Sequence, residues 1–146
     1  MPKRFTLAEA ERLLPEIEKS IREAISLKTR YLEADQEIQA FSQRVAMQGG
    51  MVIDREAVTR RRVERDRIGD DLRAAVDQTE NYGCIIKDLD VGLVDFPTLF
   101  HGKEVYLCWK MGENGINHWH GVDEGFSGRK PIDAHFLENH AGDRAN

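Results

Sequence analysis

The stretch LLPEIEKSIREAISLKTRYLEADQEIQAFSQRVAM, residues 13–47, decides the fold. From Leu14 onward, Leu14, Ile17, Ile21, Ala24, Lys28, Tyr31, Asp35, Ile38, Ser42 and Val45 advance in alternating steps of three and four. That spacing keeps one stripe of a helix turned toward a partner helix, as in a coiled coil. Just upstream, Thr6-Leu7-Ala8-Glu9 has the S/T-x-x-E form in which hydroxyl and carboxylate each take a free backbone amide of the first turn. A helix is expected from about Leu7 to Met47. Pro15 falls inside it, where the missing donor and the clash with the preceding turn predict a kink or an early break.

Gln48-Gly49-Gly50 ends the periodic pattern, and Asp54 offers an N-cap, with Ile53 as a staple, for a second helix over about Arg55 to Asn81. Its seam reads Val58, Arg65, Ile68, Leu72, Ala75, Thr79 and Tyr82. A tip near Gly50 folds the two helices into an antiparallel hairpin with residue i beside about 100 − i, so Asp35 is expected opposite Arg65 as a register pair. Apolar seam positions gather at the base, and the distal seam is polar. The first helix, at about 60 Å, outruns the second, at about 40 Å, so its start must cover something else.

From Gly83 the vocabulary changes. Cys84-Ile85-Ile86-Lys87, Leu93-Val94-Asp95-Phe96, Val105-Tyr106-Leu107-Cys108-Trp109 and Ile116-Asn117-His118-Trp119-His120 are β-rich runs punctuated by glycine and aspartate. They predict an antiparallel meander of three or four strands. A type I′ turn at Asn114-Gly115 would place Trp109, His118 and His120 on one face, with Cys108 and Trp119 on the other. The expected class is therefore α+β: a long antiparallel helical hairpin, coiled-coil-like, over residues 1–82, followed by a small antiparallel β-meander over 83–132 packed on the hairpin base. Residues 133–146 read as a partly disordered tail, and the whole as one structural unit.

Composition excludes several classes. The chain has 146 residues, 32% of them charged, and a formal net charge of −5. Nucleic acid and anionic membranes reward clustered positive charge, so neither is an expected partner. Arg60-Arg61-Arg62 with Arg65 and Arg67 is a local basic cluster near the hairpin tip, but from Asp54 to Arg73 seven arginines face six acids, which reads as an ion-paired helix. Contact of that tip with RNA or a nucleoprotein machine is a third reading. No apolar run spans a bilayer and the first residues lack a signal-peptide core, so a cytoplasmic protein is expected. Cys84 and Cys108 read as buried free thiols.

Candidate chemistry lies in the β module. His118-Trp119-His120 places two imidazoles on one face of a strand, where, with Asp88 and Asp90, or Asp95, from neighbouring strands and Asp123 and Glu124 close by, they offer a His/carboxylate set for a divalent metal. The bland alternatives are a structural histidine pair and aspartates capping turn amides. Asp95, Trp109, Trp119 and Arg129 are a possible ligand or partner face, since one helix cannot cover both sides of a sheet. Arg129 is expected to pair with Asp95 or Asp123.

Three separated runs carry a resemblance: Phe5-Thr6-Leu7-Ala8-Glu9-Ala10 with Leu13-Leu14-Pro15; Lys87 through Pro97; and Val105-Tyr106-Leu107-Cys108-Trp109-Lys110 through Trp119-His120 to Gly125-Phe126-Ser127-Gly128-Arg129. In this order they resemble the prokaryotic family called domain of unknown function 2203, up to about Pro131. The resemblance implies no established activity. Some members carry a cell-division-initiation label, which a coiled-coil pattern alone attracts.

The expected function is a non-enzymatic interaction or self-association module, a homodimer with no bound cofactor, using the hairpin as its surface. The alternative is a metal-binding protein or metal-dependent enzyme built on the β module.

Overall fold

The computed structural model describes residues 3–47 and 55–143. Helix α1 runs Leu7–Met47 and α2 runs Arg55–Glu80. Among the described residues six strands follow, β1 (Ile85–Asp88), β2 (Leu93–Phe100), β3 (Lys103–Lys110), β4 (His118–Gly121), β5 (Lys130–Pro131) and β6 (His140–Ala141), with helix α3 (Ala134–Asn139) before β6. The class is α+β, with α1 packed on α2 beside an antiparallel sheet. Gly49, Gly50, Ile53 and Asp54, read as the hairpin tip and cap, lie outside the described residues.

The capping box forms as its sequence dictates. The Glu9 amide donates to Thr6 Oγ1 at 3.2 Å, and the Thr6 amide donates to Glu9 Oε1 at 3.0 Å. α1 then continues through Pro15 as one element, so the break expected there does not occur. Along the hairpin, Gly69 meets the Tyr31 ring and Arg65 Nη1 donates to Asp35 Oδ1 at 2.9 Å, both pairs obeying the antiparallel i to 100 − i rule. Ala24, Leu27, Ile68 and Ala75 form the buried part of the seam, with Tyr31, Leu72 and Val76 against them.

The first half of α1 overhangs α2 and lies across the sheet. Phe5, Ala10, Ile17 and Ile21 are fully buried there with Val94, Phe96, Leu107 and Trp109, and this cluster is the main core. Gly92 sits where the hairpin base meets the sheet, at φ +70; a Cβ there would stand 2.6 Å from Met111 Cβ, so only glycine fits.

The sheet runs in the order β1-β2-β3-β4-β5, and β6 pairs with β2. The tight hairpin lies at His101-Gly102, where φ of +50 and +78 closes β2 onto β3 with Phe100 opposite Lys103. Asn114-Gly115 makes no such turn. It belongs to a seven-residue connection, residues 111–117, in which Glu113 caps the end of β3 by accepting from the Lys110 amide at 2.7 Å. The pairs are then Tyr106 with His120 and Cys108 with His118. This is an odd shift from the register of a two-residue loop, and an odd shift turns a strand over. Cys108, His118 and His120 therefore share one face, and Trp109 and Trp119 lie on the other.

Beyond Ile132, residues 133–143 of the segment read as a partly disordered tail are built into the molecule. Asp133 caps α3 by accepting from the Phe136 amide at 2.8 Å. Phe136 is fully buried, stacked against Phe100 at 4.8 Å and Trp119 at 5.1 Å. His140 Nε2 accepts from the Leu7 amide at 3.0 Å while its Nδ1 donates to the Leu137 carbonyl, so the C-terminal segment helps to cap α1. The sequence carried the cue, an Asp-x-x-Phe cap and anchor, but its short polar surroundings masked it.

Replacing Phe136 with alanine is expected to cost about 3–5 kcal/mol, because it empties a stacked aromatic site that nothing else fills. Urea unfolding checks this; a loss below about 1 kcal/mol would mean that the segment is not part of the core. The Thr6 amide bond holds the Glu9 carboxyl below its ordinary range. The cap therefore contributes fully above that range and fades as pH falls through the folded-state value. A Thr6→Ala variant, expected to lose about 1 kcal/mol, isolates the hydroxyl half of the same cap.

Candidate functional site

The face of the sheet turned away from α1 carries polar side chains at positions that would ordinarily be wet. Asp95 on β2, Cys108 on β3 and His120 on β4 are buried nonetheless, at 0%, 0% and 3% exposure. Alternation along adjacent strands puts them on one side, and the register aligns Asp95 directly with Cys108. Their ligand atoms, one from each residue, all lie within 4.8 Å of one another.

Long side chains cover this cluster in place of a helix. Lys87 lies over the Tyr106 ring at 4.8 Å, and Tyr106 meets the His120 ring edge-on at 5.5 Å. Arg129 lies over Phe126 at 4.6 Å. These cation–π pairs place apolar stems and rings above the strands while their charges reach water or a partner. Burial, then the Glu104 and Asp95 charges, push the Tyr106 phenol up.

His120 Nε2 lies 3.0 and 3.1 Å from the two Asp95 carboxylate oxygens, and Nδ1 lies 2.8 Å from the Gly121 carbonyl oxygen. A carbonyl only accepts, so Nδ1 carries a hydrogen and Nε2 is the nitrogen turned into the cluster. Burial, and after it the Asp95 charge, push the Cys108 thiol up to about 12. Cys84, buried beneath the hairpin base, is likewise pushed up to about 12, mainly by burial. Neither is a ready nucleophile, since the thiolate is the reactive form. Both are free thiols.

Beside the cluster stands a second polar group. Arg129 Nη2 donates to both Glu113 oxygens, at 2.7 and 2.8 Å, and lies 3.0 Å from His118 Nδ1. Burial works to raise the Glu113 carboxyl, but Arg129 and the Lys110 amide outweigh it and hold the group below its ordinary range. Among the described residues Arg129 Nε is enclosed without a hydrogen-bond partner.

The residues singled out from sequence are thus distributed. Arg129 pairs with Glu113 rather than with Asp95 or Asp123, because the 111–117 connection brings Glu113 to it. His120 joins the cluster, whereas His118 faces Arg129. Asp88 and Asp90 stay apart from both histidines: Asp88 accepts from the Asp90 amide at 2.9 Å, and Asp90 pairs with Lys28 on α1 at 2.5 Å. They cap a turn and tie it to the hairpin. Asp95 and Arg129 share a face, but Trp109 is buried in the core beneath α1, and Trp119 packs on Phe100 and Phe136. Cys108, Tyr106 and Glu113 were missed as site residues. Only the cross-strand register brings Tyr106 and Cys108 to His120, and only the 111–117 connection brings Glu113 to Arg129; the single local signal was the even spacing of Tyr106, Cys108 and Lys110.

The arrangement defines an α+β protein with a projecting helical hairpin and a buried Asp–Cys–His cluster on the open face of its sheet. Residues 3–132 match the family described as Uncharacterized conserved protein (DUF2203), and the chain belongs to that family. No curated protein and no solved structure matches the chain. The match ends before α3, so α3 and β6 lie beyond it. Among the described residues no helix is long and apolar enough to cross a membrane.

Both thiols are expected to resist a thiol-modifying disulfide reagent at neutral pH in the folded protein and to react at once in denaturant. Rapid native-state labelling of Cys108 would show that the cover over the cluster opens readily.

Proposed function

We propose that this protein is a self-associating, non-enzymatic module whose hairpin packs against the hairpin of a second copy. The observation that carries this reading is the distal hairpin. Beyond Lys28, which ties α1 to the sheet through Asp90, α1 continues to Met47 with α2 as its neighbour. At 1.5 Å per residue that is nearly 30 Å of paired helix outside the sheet's core.

A two-helix seam covers one stripe of each helix. In this stretch Ile38 is the buried α1 residue, and Phe41, Val45 and Val58 stay half-buried around an open cleft, with Leu32 at 50% and Val63 at 62% exposure. Apolar surface of this kind favours association. Charge selects the occupant. Over 31–47, α1 carries Glu33, Asp35 and Glu37 against Arg44, whereas over 55–67 α2 carries six arginines against three acids. A two-fold pair of hairpins lays each α1 on the partner's α2, which matches opposite charges and makes a four-helix arrangement.

Sedimentation velocity at micromolar concentration is expected to give a dimer, and a Phe41→Ser/Val58→Ser variant a monomer with unchanged sheet and core. A wild-type monomer throughout the tens-of-micromolar range would overturn the reading.

A further inference from the structure

We propose that Asp95, Cys108 and His120 are the ligands of a single divalent cation of the zinc class, held at the centre of the open sheet face. The inference is independent of hairpin association. It begins with hydrogen-bond bookkeeping inside the cluster. The Gly121 carbonyl uses the Nδ1 hydrogen of His120, so in the neutral ring Nε2 turns a lone pair toward the Asp95 carboxylate. Both Asp95 oxygens, at 3.0 and 3.1 Å, are acceptors too. Lone pairs do not face one another in a buried site without a positive charge between them.

Among the described residues no cationic side chain stands between the two. Arg129 spends Nη2 on Glu113, His118 and the Cys108 carbonyl, and Lys87 lies over Tyr106. The two occupants left are a proton on Nε2, making an imidazolium–aspartate pair, and a metal ion shared by all three residues. Cys108 distinguishes them. A proton shared by His120 and Asp95 needs no sulfur; the Cys108 thiol also bonds to the Asp95 carboxylate, but its burial within the same 4.8 Å group, directly across from Asp95, completes a three-donor set that a metal ion uses in full.

The donor set also selects the metal. One sulfur, one imidazole nitrogen and one carboxylate suit zinc and its neighbours, at about 2.0–2.3 Å per bond, and are wrong for magnesium or calcium, which take oxygen ligands. The bond from Nδ1 to the Gly121 carbonyl is the outer contact that orients a metal-binding histidine. All three side chains come from the interiors of hydrogen-bonded strands, so the site is rigid before any ion arrives. Three protein ligands leave a fourth position for water or an exogenous donor.

The test is titration of chelator-treated protein with Zn²⁺ and with Co²⁺, read by calorimetry, thermal midpoint and the thiolate-to-cobalt charge-transfer band. Saturation at one ion per chain, a raised thermal midpoint and that band are expected. Cys108→Ser should abolish the band, and both Cys108→Ser and His120→Gln should weaken binding at least about tenfold. His118→Ala should leave all three readouts unchanged, because His118 lies outside the ligand set. A His135→Ala control removes binding at the exposed His101–His135 pair, whose Nε2 atoms stand 2.9 Å apart. Far-UV circular dichroism of each variant confirms that the hairpin and sheet have folded. Failure of folded wild-type protein to bind either ion stoichiometrically would overturn the proposal and leave the cluster a proton-bridged pair. Binding that survives in folded Cys108→Ser/His120→Gln protein, or that disappears in His135→Ala, would overturn it equally.

Discussion

A single helix can cover only one face of a sheet, and most of this structure follows from how that cover is placed. The first half of α1 delivers Phe5, Ala10, Ile17 and Ile21 to the face bearing Val94, Phe96, Leu107 and Trp109. Burying a large apolar side chain is worth about 1.5–3 kcal/mol, so these contacts fix which way every strand is turned. Once Trp109 faces α1, alternation obliges Cys108 to face away, and pairing brings Asp95 and His120 beside it. The polar cluster is the geometrical complement of the hydrophobic core.

That uncovered face still has to exclude water, because Asp95 and His120 gain from each other only in a dry setting. Tyr106, Lys87 and Arg129 provide the cover, held by ring–cation contacts and by the Arg129–Glu113 pair. Tyr106 is thus part of the core by burial and part of the site by position. The C-terminal segment solves the matching problem on the other side. α1 leaves the far end of its face open at Phe100 and Trp119, and Phe136 fills it.

The helical half was legible in the sequence because its information is local. The capping box at Thr6, the three-four stepping from Leu14 and the break at Gly49-Gly50 each lie within a few residues, and they give α1 its observed bounds and place Asp35 opposite Arg65. The β half was legible as a set of strands and illegible as a register. Asn114-Gly115 is the stronger turn signal by propensity, but the chain turns tightly at His101-Gly102, where a histidine takes the left-handed conformation that asparagine or glycine more often adopts. Residues 111–117 then have enough length to choose their own pairing, and burial of Trp109, with Trp119 packed partly buried against the core, makes the choice. One odd shift exchanges the faces of Cys108 and Trp109, so the site could not be assembled from spacing alone.

The two halves also differ in what their leftover surface means. Past Lys28 the hairpin rests on a seam interrupted by Asp35, Ser42 and Arg65, and the Asp35–Arg65 pair there is partly exposed, at 31% and 24% of their side-chain areas. Water screens such a pair and leaves it little net stability, whereas misaligning it strands two charges against an apolar seam. It therefore selects register more than it adds stability. A segment so built gains little from its own fold, and the apolar surface at Phe41, Val45 and Val58 yields stability only when another surface meets it. The sheet face works the other way: its polar groups are already enclosed and aligned by strands that the core holds rigid, so they need no further surface to order them.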